Sequence, residues 1–145
     1  MEAYDPQLAA RVWKRVTGET VETHPDLQTL TEEALADAAA YLHLSRYFQN
    51  PYGQILRQMH RQEQSHAACL KGIYRMRTGK RCIPNLPKPP REKPALTLQR
   101  CYDRELRRAT QYSAEAADAR FGQSFSRMAQ QEQEHCRILL ELLGK

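Results

Sequence analysis

The sequence predicts an all-α fold: four long helices packed as a bundle, one long connection after the second, and a short helix ahead of the first. Three observations predict it. Apolar residues recur at alternating spacings of three and four along each long segment, the stripe a helix presents to a bundle core. Glycine and proline clusters punctuate those segments, and no stretch alternates with the period of two that half-buried strands show. A late stretch of the chain also repeats an earlier one.

The elements follow in order. Asp5-Pro6 opens a short amphipathic helix over about 5–17, with Leu8, Val12 and Val16 at helical spacing, Trp13 beside them and Gly18 at the end. Thr23 and Pro25 supply a cap and a first-turn proline for a bundle helix over about 25–49. Asn50-Pro51-Tyr52-Gly53 breaks it, and a second helix runs over about 52–77 to Thr78-Gly79. KRCIPNLPKPPREKP (80–94) holds five prolines, so the crossover over about 79–95 is neither helix nor central strand. A third helix spans about 96–119, and past Gly122 a fourth spans about 123–143.

Length and composition bound the function. The 145 residues fit one domain, 1–145, since domains most often run about 100–150 residues. With 41% hydrophobic and 27% charged residues, the chain has ordinary globular usage. No run approaches the roughly 18 apolar residues of a membrane span. MEAYDPQ carries acids where a secretory signal carries bases, so a soluble cytoplasmic protein without a membrane partner is expected. Net charge is +5, but eight bases and one acid fall between Lys71 and Lys93. Most of them sit in the proline-rich connector rather than on an aromatic-laced helix face, which argues for a solvated linker and against nucleic-acid binding. Cys69, Cys82, Cys101 and Cys136 form no CxxC pair, which excludes a rubredoxin-like or zinc-ribbon site and leaves free thiols. GxSxG, GxxxxGK[ST] and GxGxxG are absent.

The stripes carry the informative residues. The second helix reads Tyr52, Leu56, Met59, Glu63, His66, Leu70, Ile73, and the fourth Phe121, Phe125, Met128, Glu132, His135, Leu139, Leu142. The third reads Leu98, Tyr102, Glu105, Ala109, Tyr112, Ala116, and the first Leu27, Leu30, Ala34, Ala38, Tyr41, Ser45, Phe48. His24, His43 and His60 fall off these stripes and are expected to be exposed. YGQILRQMHRQEQSH (52–66) matches FGQSFSRMAQQEQEH (121–135) at a constant offset of 69, and an offset of 71 places Tyr41 on Tyr112. The chain is therefore two related helix pairs. Residues three apart share a helix face at about 5–6 Å between Cβ atoms, so Glu63 with His66, and Glu132 with His135, each aim an oxygen and a nitrogen at one point. Unpaired carboxylates in a core cost several kcal/mol each; divalent cations neutralise them and accept neutral imidazole.

QEQSHAACLKGIY and QEQEHCRILLELL, supported by Glu105 with Tyr112 seven residues on, resemble the diiron domain of the rubrerythrin and ferritin-like family over roughly residues 26–143. That family builds its site from a Glu on each of two helices and a Glu-x-x-His on each of the others. The resemblance implies a ferritin-like bundle with two divalent ions, iron with manganese or zinc as substitutes. It makes Glu63 and Glu132 bridging ligands, His66 and His135 terminal ligands, and Glu105 a terminal carboxylate on the His135 side, with no catalytic residue apart from the ligands. Tyr41 and Tyr112 become donors that orient carboxylates.

The repeat sets Ala34 opposite Glu105, where the family supplies its other terminal Glu, so Asp37 or Glu33 is the substitute and the second ion is weakly held. The carboxylate three residues after the terminal Glu is replaced by Arg108, and with no cysteine pair present a rubredoxin module is not expected. The implied activity is a non-haem dimetal oxidoreductase acting on peroxide or oxygen with an external electron donor. The other reading is a ferritin-like module with an incomplete or empty site, serving storage, structure or interaction. A homodimer fits either.

Overall fold

The computed structural model describes residues 26–145, together with Gln7. The expected N-terminal helix, Trp13 and His24 lie outside the described residues apart from Gln7, as do Thr23 and Pro25. Four helices follow one another: α1 (Leu27–Leu44), α2 (Tyr52–Thr78), α3 (Pro94–Ala114) and α4 (Gly122–Leu143). Among the described residues there is no strand, and no helix is long and apolar enough to cross a membrane.

Helix ends follow local chemistry. Asp26 caps α1, its carboxylate accepting from the Gln28 and Thr29 amides at 3.0 and 3.3 Å, the bond pattern of an N-cap. Expected to reach about 49, α1 instead ends at Leu44, past which the Arg46 and Tyr47 amides tighten the turn by donating three residues back, to the His43 and Leu44 carbonyls at 3.2 and 2.9 Å. At the far end of α2, Gly79 takes φ 72 and donates its amide to the Arg75 carbonyl at 2.9 Å, the left-handed stop that glycine adopts without penalty. Pro94 opens α3, where a proline's missing N–H leaves no bond unmade. The third helix stops at Ala114 rather than about 119.

The repeated glycines have a packing cause. A Cβ on Gly53 would lie 2.7 Å from the Phe48 carbonyl oxygen, and one on Gly122 would lie 2.3 Å from that of Ala116. Each hairpin turn thus closes against the first turn of its second helix.

α1 packs along α2 and α3 along α4, while α1 meets α3 and α2 meets α4 across the middle. Those cross-pairs are antiparallel: Glu33 reaches Arg107 while Asp37 reaches Arg104, and Glu63 reaches His135 while His66 reaches Glu132. The crossover must therefore travel the length of the bundle. Residues 79–93 do so beside α1, where the Asn85 amide donates to Glu32 at 2.7 Å and Arg100 pairs with Glu92 at 2.8 Å.

Two apolar clusters fill the core. One includes Tyr41, Leu44, Leu56, Met59, Cys101 and Leu139; the other includes Leu30, Leu70, Ile73, Tyr112, Phe125 and Met128. Stripe residues are buried for the most part, with Phe48, Tyr52, Tyr102 and Phe121 half-buried and Ala116 exposed. His43 and His60 are half-buried rather than exposed, and His60 Nδ1 meets the Ala38 carbonyl at 2.7 Å. All four cysteines are free thiols. Between the apolar clusters lies a layer of buried charge.

Candidate metal centre

Each helix contributes to that layer through its stripe. α2 brings Glu63 and His66, α4 brings Glu132 and His135, α3 brings Glu105 and Arg108, and α1 brings Asp37, all buried. Because α2 and α4 run antiparallel, each helix's glutamate faces the other's histidine. His66 Nδ1 lies 2.7 Å from Glu132 Oε1, and His135 Nδ1 lies 3.2 Å from both Glu63 Oε1 and Glu105 Oε1.

The outer nitrogens are held as well. His135 Nε2 donates to Gln62 Oε1 at 2.6 Å, and His66 Nε2 donates to Gln131 Oε1 at 2.5 Å. Gln62 and Gln131 are repeat equivalents, each the residue before one of the layer's glutamates, Glu63 and Glu132. By occupying Nε2, they present Nδ1 to the carboxylates and fix the tautomer a ligand needs. Sequence reasoning did not assign them, although both glutamines recur in the repeat.

Ligand atoms of Glu63, Glu105, Glu132 and His135 all lie within 4.8 Å of one another. This is the donor set of a divalent ion, oxygens with one imidazole. Glu105 Oε2 has no hydrogen-bond donor, an open lone pair of the kind a cation takes. The residues present therefore fit one ion. His66 belongs to the charged layer but not to this group. Glu33, half-buried, is engaged by Arg107 at 2.6 Å, and Asp37 by Arg104 and Arg108, both at 2.6 Å. Neither offered substitute for the missing glutamate is free to turn to an ion. Ala34 is fully buried and supplies nothing.

Tyr41 donates to Glu105 Oε1 at 2.5 Å, as a carboxylate-orienting group does. Tyr112, its repeat equivalent, has no partner for its hydroxyl. Burial, with Glu105 and Asp37 nearby, holds the Tyr41 phenol well above its ordinary range, so it stays a donor.

Arg108 is the largest departure from expectation. Its side chain is 0% exposed. Nη1 lies 2.6 Å from Asp37 Oδ2, while Nη2 lies 3.0 Å from Glu132, 3.3 Å from Glu63 and 3.3 Å from Glu105. Burial works against the charged guanidinium, and Asp37, Glu63, Glu132 and Glu105 outweigh it, so it stays charged. The same arrangement sorts the carboxylates. Burial raises Glu63, but Arg108 and the hydrogen bonds around it prevail and hold the group well below the usual range. Burial, then repulsion from Glu63 and Glu105, pushes Glu132 well above it. Burial opposes charge on His135, yet its bonds to Glu105 and Glu63 raise it to about 9. His135 therefore keeps its proton near neutrality, while burial and the neighbouring Glu63 bias Glu132 and Glu105 toward their protonated forms.

The comparisons with known proteins can now be set beside this geometry. The chain matches no family model, no curated protein and no solved structure.

Proposed function

We propose that this chain is a metal-binding bundle protein of ferritin-like, rubrerythrin-related type, whose buried carboxylates and imidazole hold a divalent ion, iron ahead of manganese or zinc. The observation that carries the reading is the convergence of Glu63, Glu105, Glu132 and His135 from three helices within 4.8 Å. When bound, an iron would supply redox chemistry toward peroxide or oxygen, with electrons from a separate donor. The chain's own residues do the rest. Gln62 orients His135, Tyr41 orients Glu105, and the two apolar clusters keep bulk water from the layer. A groove of about 400 Å³ between α2 and α4 has Met59, Gln62 and His135 along its wall, which gives a small oxidant or an ion a short path inward.

A second reading has its own observation. Arg108 touches all four carboxylates of the layer, which favours a bundle stabilised by an internal ionic network and acting in storage, structure or interaction. One experiment separates them: load reduced protein with ferrous iron anaerobically, desalt, and measure iron per chain, ferric absorption after oxidation, and peroxide consumption. Retained iron with peroxide turnover supports the oxidoreductase. Retained iron without turnover supports storage or structure. No retained metal, for iron, manganese or zinc alike, removes the metal-binding reading.

A further inference from the structure

We propose that the Arg108 guanidinium stands in the place of a second cation, so that the centre takes one divalent ion on its His135 side and none on its His66 side. This rests on the metal-binding reading and fixes its stoichiometry. The resemblance implies two ions; the side chains of the buried layer provide for one.

Position is the first argument. Arg108 lies within 3.3 Å of carboxylate oxygens from four helices, Asp37 on α1, Glu63 on α2, Glu105 on α3 and Glu132 on α4. On Glu63 it takes Oε2, the oxygen that faces His66, while Oε1 faces His135; it thus supplies positive charge to carboxylates a second ion would have to share, and a guanidinium does not lose its charge to make room.

The ligand supply is lopsided in the same sense. Around His135 stand three carboxylates, Glu63, Glu105 and Glu132; around His66 stand only two, Glu132 at 2.7 Å and Glu63 at 3.5 Å, because α1 offers Ala34 there and Asp37 is bound by two guanidiniums. Tyr112 records the same asymmetry. Tyr41 donates across the bundle to Glu105, whereas the equivalent acceptor for Tyr112 would be residue 34, and its hydroxyl is left without a partner.

Charge settles the number. Asp37, Glu63, Glu105 and Glu132 carry four negative charges when ionised, against two positive charges on Arg104 and Arg108. One divalent ion with neutral imidazoles cancels the remainder. A second would leave a buried surplus of two positive charges, a cost of the kind no protein interior carries unpaired.

The test is metal stoichiometry on the full chain. Titrate metal-free protein with Mn²⁺, count ions by elemental analysis after desalting, and record the electron paramagnetic resonance spectrum. One ion per chain with an uncoupled manganese hyperfine pattern is expected. In Arg108→Glu, whose fold is checked by circular dichroism, two ions per chain and a spin-coupled spectrum are expected. Two ions in the wild type overturn the proposal while leaving the metal-binding reading intact. No ion in the wild type overturns both. One ion in the wild type and still one in folded Arg108→Glu also overturns it, because the limit would then lie in Ala34 rather than in the guanidinium.

Discussion

Arg108 on α3 and Asp37 on α1 are equivalent residues of the two halves, 71 positions apart like Tyr41 and Tyr112, and they bond to each other at 2.6 Å. A bundle built from two related hairpins brings equivalent positions face to face near its axis. Like charges there would repel, and two apolar residues would leave the glutamates without a counter-charge. Opposite charges at this one pair hold α1 to α3 and neutralise the layer from inside.

Removing one partner of a buried ion pair costs about 3–5 kcal/mol because the other is left buried and unpaired. Asp37→Asn is therefore expected to lower unfolding free energy by about that amount, read from urea transitions with chelator present. Arg104 loses the same carboxylate but is partly solvated and adds little. Because Asp37 stands outside the ligand group, metal stoichiometry should not change. An Asp37→Asn protein as stable as the wild type would mean that Arg108 does not depend on it.

The metal-free chain should lose stability as pH rises through the neutral range. His135 titrates near 9 folded against 6.5 unfolded. Its contribution is then complete below about pH 6.5 and falls by about 1.4 kcal/mol per pH unit until about 9. Glu132, raised well above its ordinary range, acts in the same direction, since a folded state that holds extra protons is weakened by removing them. Urea midpoints in chelator should decline steadily across that window. A rise there would contradict the proton inventory of the layer.

Metal should displace those same protons. An ion at His135 Nδ1 and the Glu132 carboxylate needs both groups deprotonated, so binding near neutrality is expected to release protons, that of His135 first, and to tighten as pH rises toward about 9. Calorimetry in buffers of different ionisation enthalpy counts them directly. Binding without proton release would place the ion elsewhere.

The two tyrosines give opposite expectations despite their equivalent positions. Tyr41→Phe removes the donor to Glu105 Oε1 and should weaken metal affinity roughly 10–100-fold, the usual effect of losing a group that orients a ligand. Tyr112→Phe removes a buried hydroxyl that has no partner, so affinity should hold and stability stay level or rise by up to about 1 kcal/mol. Equal effects in both variants would mean that the halves are functionally symmetric.

Much of this layer was legible in the sequence because helix geometry is periodic. Glu63, His66, Glu132 and His135 sit on apolar stripes at matching positions of the repeat, so each pair reads as facing the core. Arg108 was harder to read. In DRELRR (103–108) it resembles a solvated basic run, and only its spacing of three from Glu105 turns it inward. Gln62 and Gln131 were visible as repeated letters, but their role depends on α2 and α4 being antiparallel neighbours, which no single helix reveals. The helix ends differ from expectation where the chain turns: past Leu44 the Arg46 and Tyr47 amides bond three residues back, to the His43 and Leu44 carbonyls, a geometry that composition alone does not specify.

Three glycines test the packing account without touching the charged layer. Gly53 and Gly122 abut backbone oxygens of the preceding turns, at 2.7 and 2.3 Å from the position of an added Cβ. Backbone cannot rotate aside as a side chain can, so Gly122→Ala should cost about 1–3 kcal/mol, as overpacked sites do, and Gly53→Ala less. Gly72, inside α2, has nothing within 4 Å of that position; there alanine should gain about 0.5–1 kcal/mol by restricting the unfolded chain and favouring helix. Thermal or urea unfolding of the three variants reads the order directly. If Gly122→Ala proved neutral, the close approach that joins α4 to its hairpin turn would not be what the repeated glycine serves.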